Sequence, residues 1–279
     1  MRVRVLTLNV WNREGAAKRI GLINAAIKEL QPDLISLQEA VRTPASDQLA
    51  DLLDGMDYHT THQADMQPYT PPFADRFGGA AVASRWPHRR LEAVDARQVG
   101  ANDVPWATLA VAVSLPDLGE LLFIGTTSAW RLNAEAARER QALALADLDS
   151  RHRKTLPTII AGDFNAAPEA ASIRFLTGLQ SLEGRSVQYH DAWALAGDGD
   201  GITWSSDNPN AATGIDQIVR QSPHHRRIDY VFIGGWDAHP HAQARVLEAR
   251  RVLDRPVAGI WPSDHFGVFV TLEITQDDG

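Results

Sequence analysis

The sequence predicts an α+β protein of two packed sheets flanked by helices, folded as a single domain over 1–279. Strand and helix signals alternate along the chain, and the strands come in clusters, some of them antiparallel. No Ser/Gly-rich or Pro-rich linker divides it. A composition that is 44% hydrophobic and 22% charged is that of a globular chain able to bury a substantial core.

The elements follow in order. "MRVRVLTLNVW" alternates as a strand around Val3 to Leu8. In "AAKRIGLINAAIKELQPD", Ile20, Ile23, Ile27 and Leu30 fall at helical spacing, and Pro32 stops the helix. The short strand "LISLQ" and a short helix around "SDQLADLLDG" come next, then a surface loop from Gln67 to Gly79. The middle strands "GAAVASR", "WATLAVAVSL" and "ELLFIGTT" lead into a long amphipathic helix from about Asn133 to His152. After it stand the strand "TIIAGD" and a helix from Glu169 to about Leu179. "GDGDGITWSSDNPNAATG" reads as loop, and the tail returns to strands in "RIDYVFIG", "HAQARVLEARRV" and "HFGVFVTLEI".

Charge and composition exclude some functions. A net charge of -8 argues against a generally basic protein that coats nucleic acid, although a bound metal supplies positive charge locally. The absence of cysteine removes disulfides, thiolate metal sites and thiol nucleophiles together. No apolar run reaches the length of a membrane span and no signal peptide is visible, so a cytoplasmic monomer without a membrane span is expected.

Polar residues at strand ends carry the chemical signal. "LTLN" ends in Asn9, "ISLQE" in Glu39 and "IIAGDFN" in Asp163 and Asn165, while "RIDYVF" carries Asp229. "WPSDHFGV" sets Asp264 and His265 just before the last strand. Each alone reads as a turn or cap. Several carboxylates converging at one side of a sheet would repel unless a cation joined them. Glu39, Asp264 and Asn9 offer only oxygen, which favours magnesium, manganese or calcium over zinc. His265, next to a carboxylate, suits a protonated partner of a phosphate.

In order and spacing, "LTLNVW", "LQE", "GAAVASR", "AGDFN", "RIDYVF" and "PSDHFGV" resemble the endonuclease/exonuclease/phosphatase superfamily, the deoxyribonuclease I-like phosphohydrolases. The resemblance runs from about Val3 to Ile274. It implies a four-layer α/β sandwich, two mixed, mostly antiparallel sheets packed together, with the site at one rim. It also implies roles: Glu39 as principal metal ligand with Asn9 beside it and Asp264 completing the site. By the same resemblance Asp163 orients or deprotonates water and Asn165 donates to a phosphate oxygen. Asp229 and His265 match an Asp–His pair in which the carboxylate keeps the imidazole charged. Magnesium is the expected cofactor, with manganese or calcium as alternatives, and a phosphate ester, nucleic acid included, is the expected substrate.

The sequence departs from the family at "LFIGTTSAW", where the position of a phosphate-touching histidine falls on Thr127, or on Ser128 if the register slips by one, and a hydroxyl can donate but carries no charge. Trp130, Arg131 and His62 are the candidates to reach in its place. Arg85 in "ASRWP" matches a family arginine and is a second substrate-binding candidate. "HRR" at His88 to Arg90 and "HHRR" at His224 to Arg227 read as solvated faces, and the tryptophans as packing residues. The motifs describe attack on phosphorus without naming the leaving group. Phosphodiesterase or phosphatase is therefore the leading expectation and nuclease the second. A lipid-headgroup phosphodiesterase would use "PYTPPF" as its apolar loop. From another class comes a weakened member that only binds a phosphorylated ligand.

Overall fold

The first strand, β1 (Arg2–Asn9), has two apolar faces. Val3 and Val5 lie in a core between two sheets, while Leu6 and Leu8 lie in a second core with Ile23 and Ile27 of the helix Arg19–Leu30. A strand covered on both sides must bury every second residue in each direction, which is why its later half reads almost continuously apolar. The helix ends at Gln31, whose φ of 47° is left-handed, with Pro32 behind it.

The computed structural model describes residues 1–67, 76–101 and 106–276. After β1 come β2 (Leu34–Ala40), the two-residue β3 (Arg42–Thr43) and β4 (Ser46–Asp47), β5 (His59–His62) and β6 (Gly79–Ser84). The middle holds β7 (His88–Asp95), β8 (Ala107–Leu115), β9 (Gly119–Thr127), β10 (Ile159–Asp163) and β11 (Tyr189–Asp191). The short β12 (Trp204–Ser205) and β13 (His225–Arg226) precede β14 (Asp229–Gly234), β15 (Ala242–Val252) and β16 (Gly267–Gln276).

Twelve of these strands form two six-stranded sheets, ordered β15-β16-β1-β2-β6-β5 and β11-β14-β10-β9-β8-β7. Each sheet has one parallel pair, β1 with β2 and β9 with β10, and is otherwise antiparallel. The sheets pack face to face through Val3, Val5, Leu34, Val82, Leu109, Phe123, Ala161 and Val231. The outer face of the second sheet is covered by the helix Glu135–His152, through Ala142, Leu145 and Leu148 against Ile124, Ile160 and Phe232. The result is the four-layer sandwich of mixed, mostly antiparallel sheets that the resemblance implied.

Boundaries differ in a few places. The helix expected over 169–179 spans only Ala171–Leu176, since Gly178 with φ 80° turns the chain there. Part of the expected loop is a helix, Pro209–Ile218. Asn208 caps it by accepting from the Asn210 N–H, proline occupies its first turn, and Ala211 and Ile215 bury one face. The apolar segment "PYTPPF" lies outside the described residues. No helix among the described residues is long and apolar enough to cross a membrane.

Candidate active site

The phase of the strands decides which polar ends meet. Asn9 continues the inward face of Val3 and Val5, Asp163 that of Ile159 and Ala161, and Asp229 that of Val231 and Ile233. All three therefore point into the space between the sheets at one rim, where Asp163 stands opposite Asp229 in register. The Asn9 side-chain amide donates across that space to Asp163 Oδ2 at 3.2 Å, and to Glu39 Oε1 at 3.1 Å. Phe164 turns the other way, into the outer core against Tyr230 and Phe232. Asn165 follows with a left-handed φ of 50°; its backbone N–H donates to Asp163 Oδ1 at 2.9 Å and its side-chain amide to the Ser128 carbonyl at 3.2 Å.

Strict alternation would send Glu39 toward the helix side. A register shift between Leu37 and Ala40 opposite β6, with a left-handed φ of 61° at Glu39, turns it to the cleft instead. Gly78 makes this possible: a Cβ there would come within 2.3 Å of the Glu39 backbone. Asn12 then donates to Glu39 Oε2 at 2.8 Å.

Asp264 and His265 sit on the loop before β16, which Ser263 ties to β1 by donating to the Asn9 carbonyl at 2.6 Å. His265 Nδ1 meets Asp229 Oδ2 at 3.0 Å. Beneath the loops, Arg19 is 2% exposed and donates to the carbonyls of Val10, Trp11, Asn12 and Glu14. That guanidinium fixes the turn that carries Asn12.

The site is short of positive charge. Burial pushes the Asp163 carboxyl up to about 7, with Asp229 adding to the rise. Burial raises Asp264 to about 7 as well, with Glu39 adding, and burial raises Glu39 against hydrogen bonds from Asn9 and Asn12. For His265, burial favours the neutral ring, yet Asp229, Asp264 and Asp163 together outweigh it and hold the imidazole well above its ordinary value. An imidazolium donates from both nitrogens, so with Nδ1 on Asp229 the Nε2–H remains for a ligand.

Two sets of groups fit a cation to different degrees. Asp163, Asp229 and His265 offer ligand atoms all within 4.8 Å of one another. A charged imidazole has no lone pair for a metal, so that set is better suited to holding a proton. Glu39 and Asp264 are mutually repelling oxygen donors on the cleft wall, which is the chemistry a hard divalent ion joins. The Asn9 amide oxygen accepts from the Trp11 N–H at 2.9 Å, so Asn9 here presents nitrogen to the carboxylates.

A cleft of about 480 Å³ opens over these groups, lined by Asn9, Glu39, Asp163, Asn165, Asp264 and His265 and walled by Trp11, Trp106, Trp130 and Trp204. Asp229 stands behind His265, 1% exposed. Two of the residues expected from the sequence to bind substrate do not reach the cleft. Thr127 pairs beside Asp163 and shares its inward phase, but its hydroxyl is buried, has no partner among the described residues and is not part of the cleft lining. Arg85 follows Ser84, which pairs with Leu34 at the start of β2, so it lies at the opposite rim, on Asp33 at 2.8 Å. His62 is fully buried with Nε2 on the Ala40 carbonyl, whereas Trp130 and Arg131 do line the cleft. Asn12, Arg19 and Arg226 were not foreseen from the sequence. For Arg226 the signal was "HHRR", but its arginines turn inward, Arg227 to Asp191 at 2.6 Å and Arg226 to the cleft.

A sequence profile of the Endonuclease/Exonuclease/phosphatase family matches residues 6–265. No curated protein matches the chain significantly by sequence. Among solved structures, an endonuclease/exonuclease/phosphatase from Bacteroides vulgatus superposes with a TM-score of 0.72 at 16% identity, covering 99% of this chain and 100% of that one. TDP2 from D. rerio, complexed with a single-strand DNA product, gives 0.70 at 17% identity over 98% of this chain and 99% of that one. The human Nocturnin catalytic domain with a bound sulfate gives 0.67 at 18% identity over 98% and 95%. At such identities the likeness establishes the fold.

Proposed function

The chain belongs to the endonuclease/exonuclease/phosphatase family, whose members are hydrolases of phosphoester bonds, and we propose that it hydrolyses a phosphate ester by in-line attack of water, with magnesium as its metal. The observation that carries this reading is Asp163. Its carboxyl, held at about 7 on the cleft floor, sits between the Asn9 amide and the Asp229–His265 pair. A base whose pKa lies near the working pH is ionised often enough to act and basic enough to take a proton.

In this reading Asp163 accepts the proton of a water as its oxygen bonds to phosphorus and the bond to the leaving oxygen breaks. Asn165 and the His265 Nε2–H donate to phosphate oxygens as charge builds there, and Asp229 keeps the imidazole charged and aimed. Glu39 and Asp264 would hold the magnesium, with Asn9 and Asn12 bracing Glu39. When bound, the ion neutralises charge on the phosphate and leaving oxygens.

Nuclease action is the second reading. It is favoured by the four tryptophans on the cleft wall, with Arg131 stacked 5.0 Å from Trp130, and by a neighbour that binds a DNA product. The test is a panel of bis-nitrophenyl phosphate, nitrophenyl phosphate, single-stranded DNA, RNA, inositol phosphates and sphingomyelin, run with magnesium or with EDTA. Turnover should need magnesium and disappear in Asp163→Asn. Equal activity or equal inertness of the two proteins on every substrate overturns the reading, the inert outcome leaving a protein that only binds a phosphorylated ligand.

A further inference from the structure

Three arginines converge around the turn that carries Asn165, and two of them are already engaged. Arg138 pairs with Glu135 at 2.7 Å and donates to the carbonyls of Ala129 and Arg131 at 2.9 and 2.7 Å. Arg227 pairs with Asp191 at 2.6 Å and lies 4.6 Å from the Tyr230 ring centroid. Arg226, the third, donates from Nη2 to the Asn165 carbonyl at 2.9 Å and, among the described residues, has no carboxylate in ion-pair contact. It lines the cleft beside Asp163, Asn165 and His265.

A half-buried guanidinium without a counter-ion is costly, because it loses solvation and gains no pair. Burial and the nearby Arg138 both pull its pKa down, with Asp163 the foremost group acting the other way. The side chain has five donors in a planar fork, and the Asn165 carbonyl takes one. The rest match a tetrahedral oxyanion arriving from the cleft.

We propose that Arg226 binds a non-bridging oxygen of the substrate's phosphate next to Asn165, and so supplies the fixed positive charge on that side of the reacting group. The proposal rests on the phosphoester reading for its substrate, while its binding component can be tested without turnover. Such a residue would act together with His265 on an anionic phosphoryl group in the cleft that both line.

The test compares bis-nitrophenyl phosphate with its uncharged methylphosphonate counterpart, in which a methyl group replaces the charged oxygen. Arg226→Gln should lower kcat/KM on the diester about 10²-fold, the scale of a lost oxyanion donor. Arg226→Lys should recover part of it, and the methylphosphonate should be turned over equally by wild type and Arg226→Gln. Equal losses on both substrates would mean that the arginine only props up the Asn165 turn, and no loss on either would also overturn the proposal. In parallel, inorganic phosphate is titrated into Asp163→Asn and Asp163→Asn/Arg226→Gln, followed by the fluorescence of the cleft tryptophans. At least a tenfold weaker affinity in the double variant is expected, and equal affinity refutes the assignment. If wild type hydrolyses nothing, or the methylphosphonate is inert to every variant, this titration decides Arg226 by itself. Far-UV circular dichroism confirms folding, with Arg226→Lys standing in if the glutamine variant unfolds.

Discussion

At the rim away from the cleft, Asp33 is 5% exposed and fully answered. It accepts from the Arg4 backbone N–H at 2.8 Å and pairs with the Arg85 guanidinium at 2.8 Å. At the cleft rim Asp163 is 1% exposed and, among the described residues, has no ion pair with an arginine, only amide donors, a second carboxylate in register and a shared imidazolium. The buried cation nearest in kind, Arg19, donates instead to backbone carbonyls. One rim pairs its carboxylate with arginines of the chain; the other gathers carboxylates around a single imidazole. Buried charge by itself is therefore uninformative, and the state of its partners separates a structural carboxylate from a chemical one.

Substitutions at the two rims should behave oppositely. The largest effect is expected for Asp163→Asn, a drop of about 10²–10⁴ in kcat with folding retained. Its stability should show the reverse sign. A carboxyl raised from 3.8 to about 7 on folding contributes stability that is fully present below its ordinary value and lost as pH rises through about 7. Melting of the metal-free proteins from pH 4 to 8 should therefore find wild type falling behind Asp163→Asn with increasing pH; a constant gap would contradict the contrast between the rims.

Next comes His265→Gln, expected to lower kcat about 10²–10³-fold. Because the imidazolium holds the Asp163 pKa down, its loss should also move the acidic limb of the pH–rate profile upward. Asn12→Ala removes a donor to Glu39 and should raise the magnesium concentration for half-maximal activity about 10–100-fold, with little change in kcat at saturating metal. At the other rim, Asp33→Asn should cost about 1–3 kcal/mol in denaturant unfolding and leave kcat alone. Arg85→Gln is the smallest, under about 1 kcal/mol because that arginine is 41% exposed, with kinetics unchanged. A kinetic effect at Arg85 would restore it to the site from which its position removes it.

The strand-end motifs were legible because alternation is a local property. Asn9, Asp163 and Asp229 stay in phase with the apolar residues before them, so their direction follows from counting by twos. Glu39 was legible as a residue type but not as a direction, because a bulge and a left-handed backbone reverse the count. The helix Pro209–Ile218 hid behind Gly, Pro and Asn, which mark loops and helix starts equally. The places of Arg85 and Arg226 were not legible for a related reason: only antiparallel pairing tells which rim each strand end reaches.

The linear chain carries the set of elements, the two-faced burial of the central strands and the carboxylate, amide and imidazole side chains at the strand ends. These depend on periodicity and on side-chain chemistry, both of which can be read without knowing the fold. It took the folded arrangement to bring Asn9 between Glu39 and Asp163 across two sheets, to engage Arg19 with carbonyls while leaving Arg226 without a carboxylate among the described residues, and to bury the Thr127 hydroxyl outside the cleft lining. Those facts concern which donors are already satisfied, and satisfaction depends on distance between residues far apart in the chain.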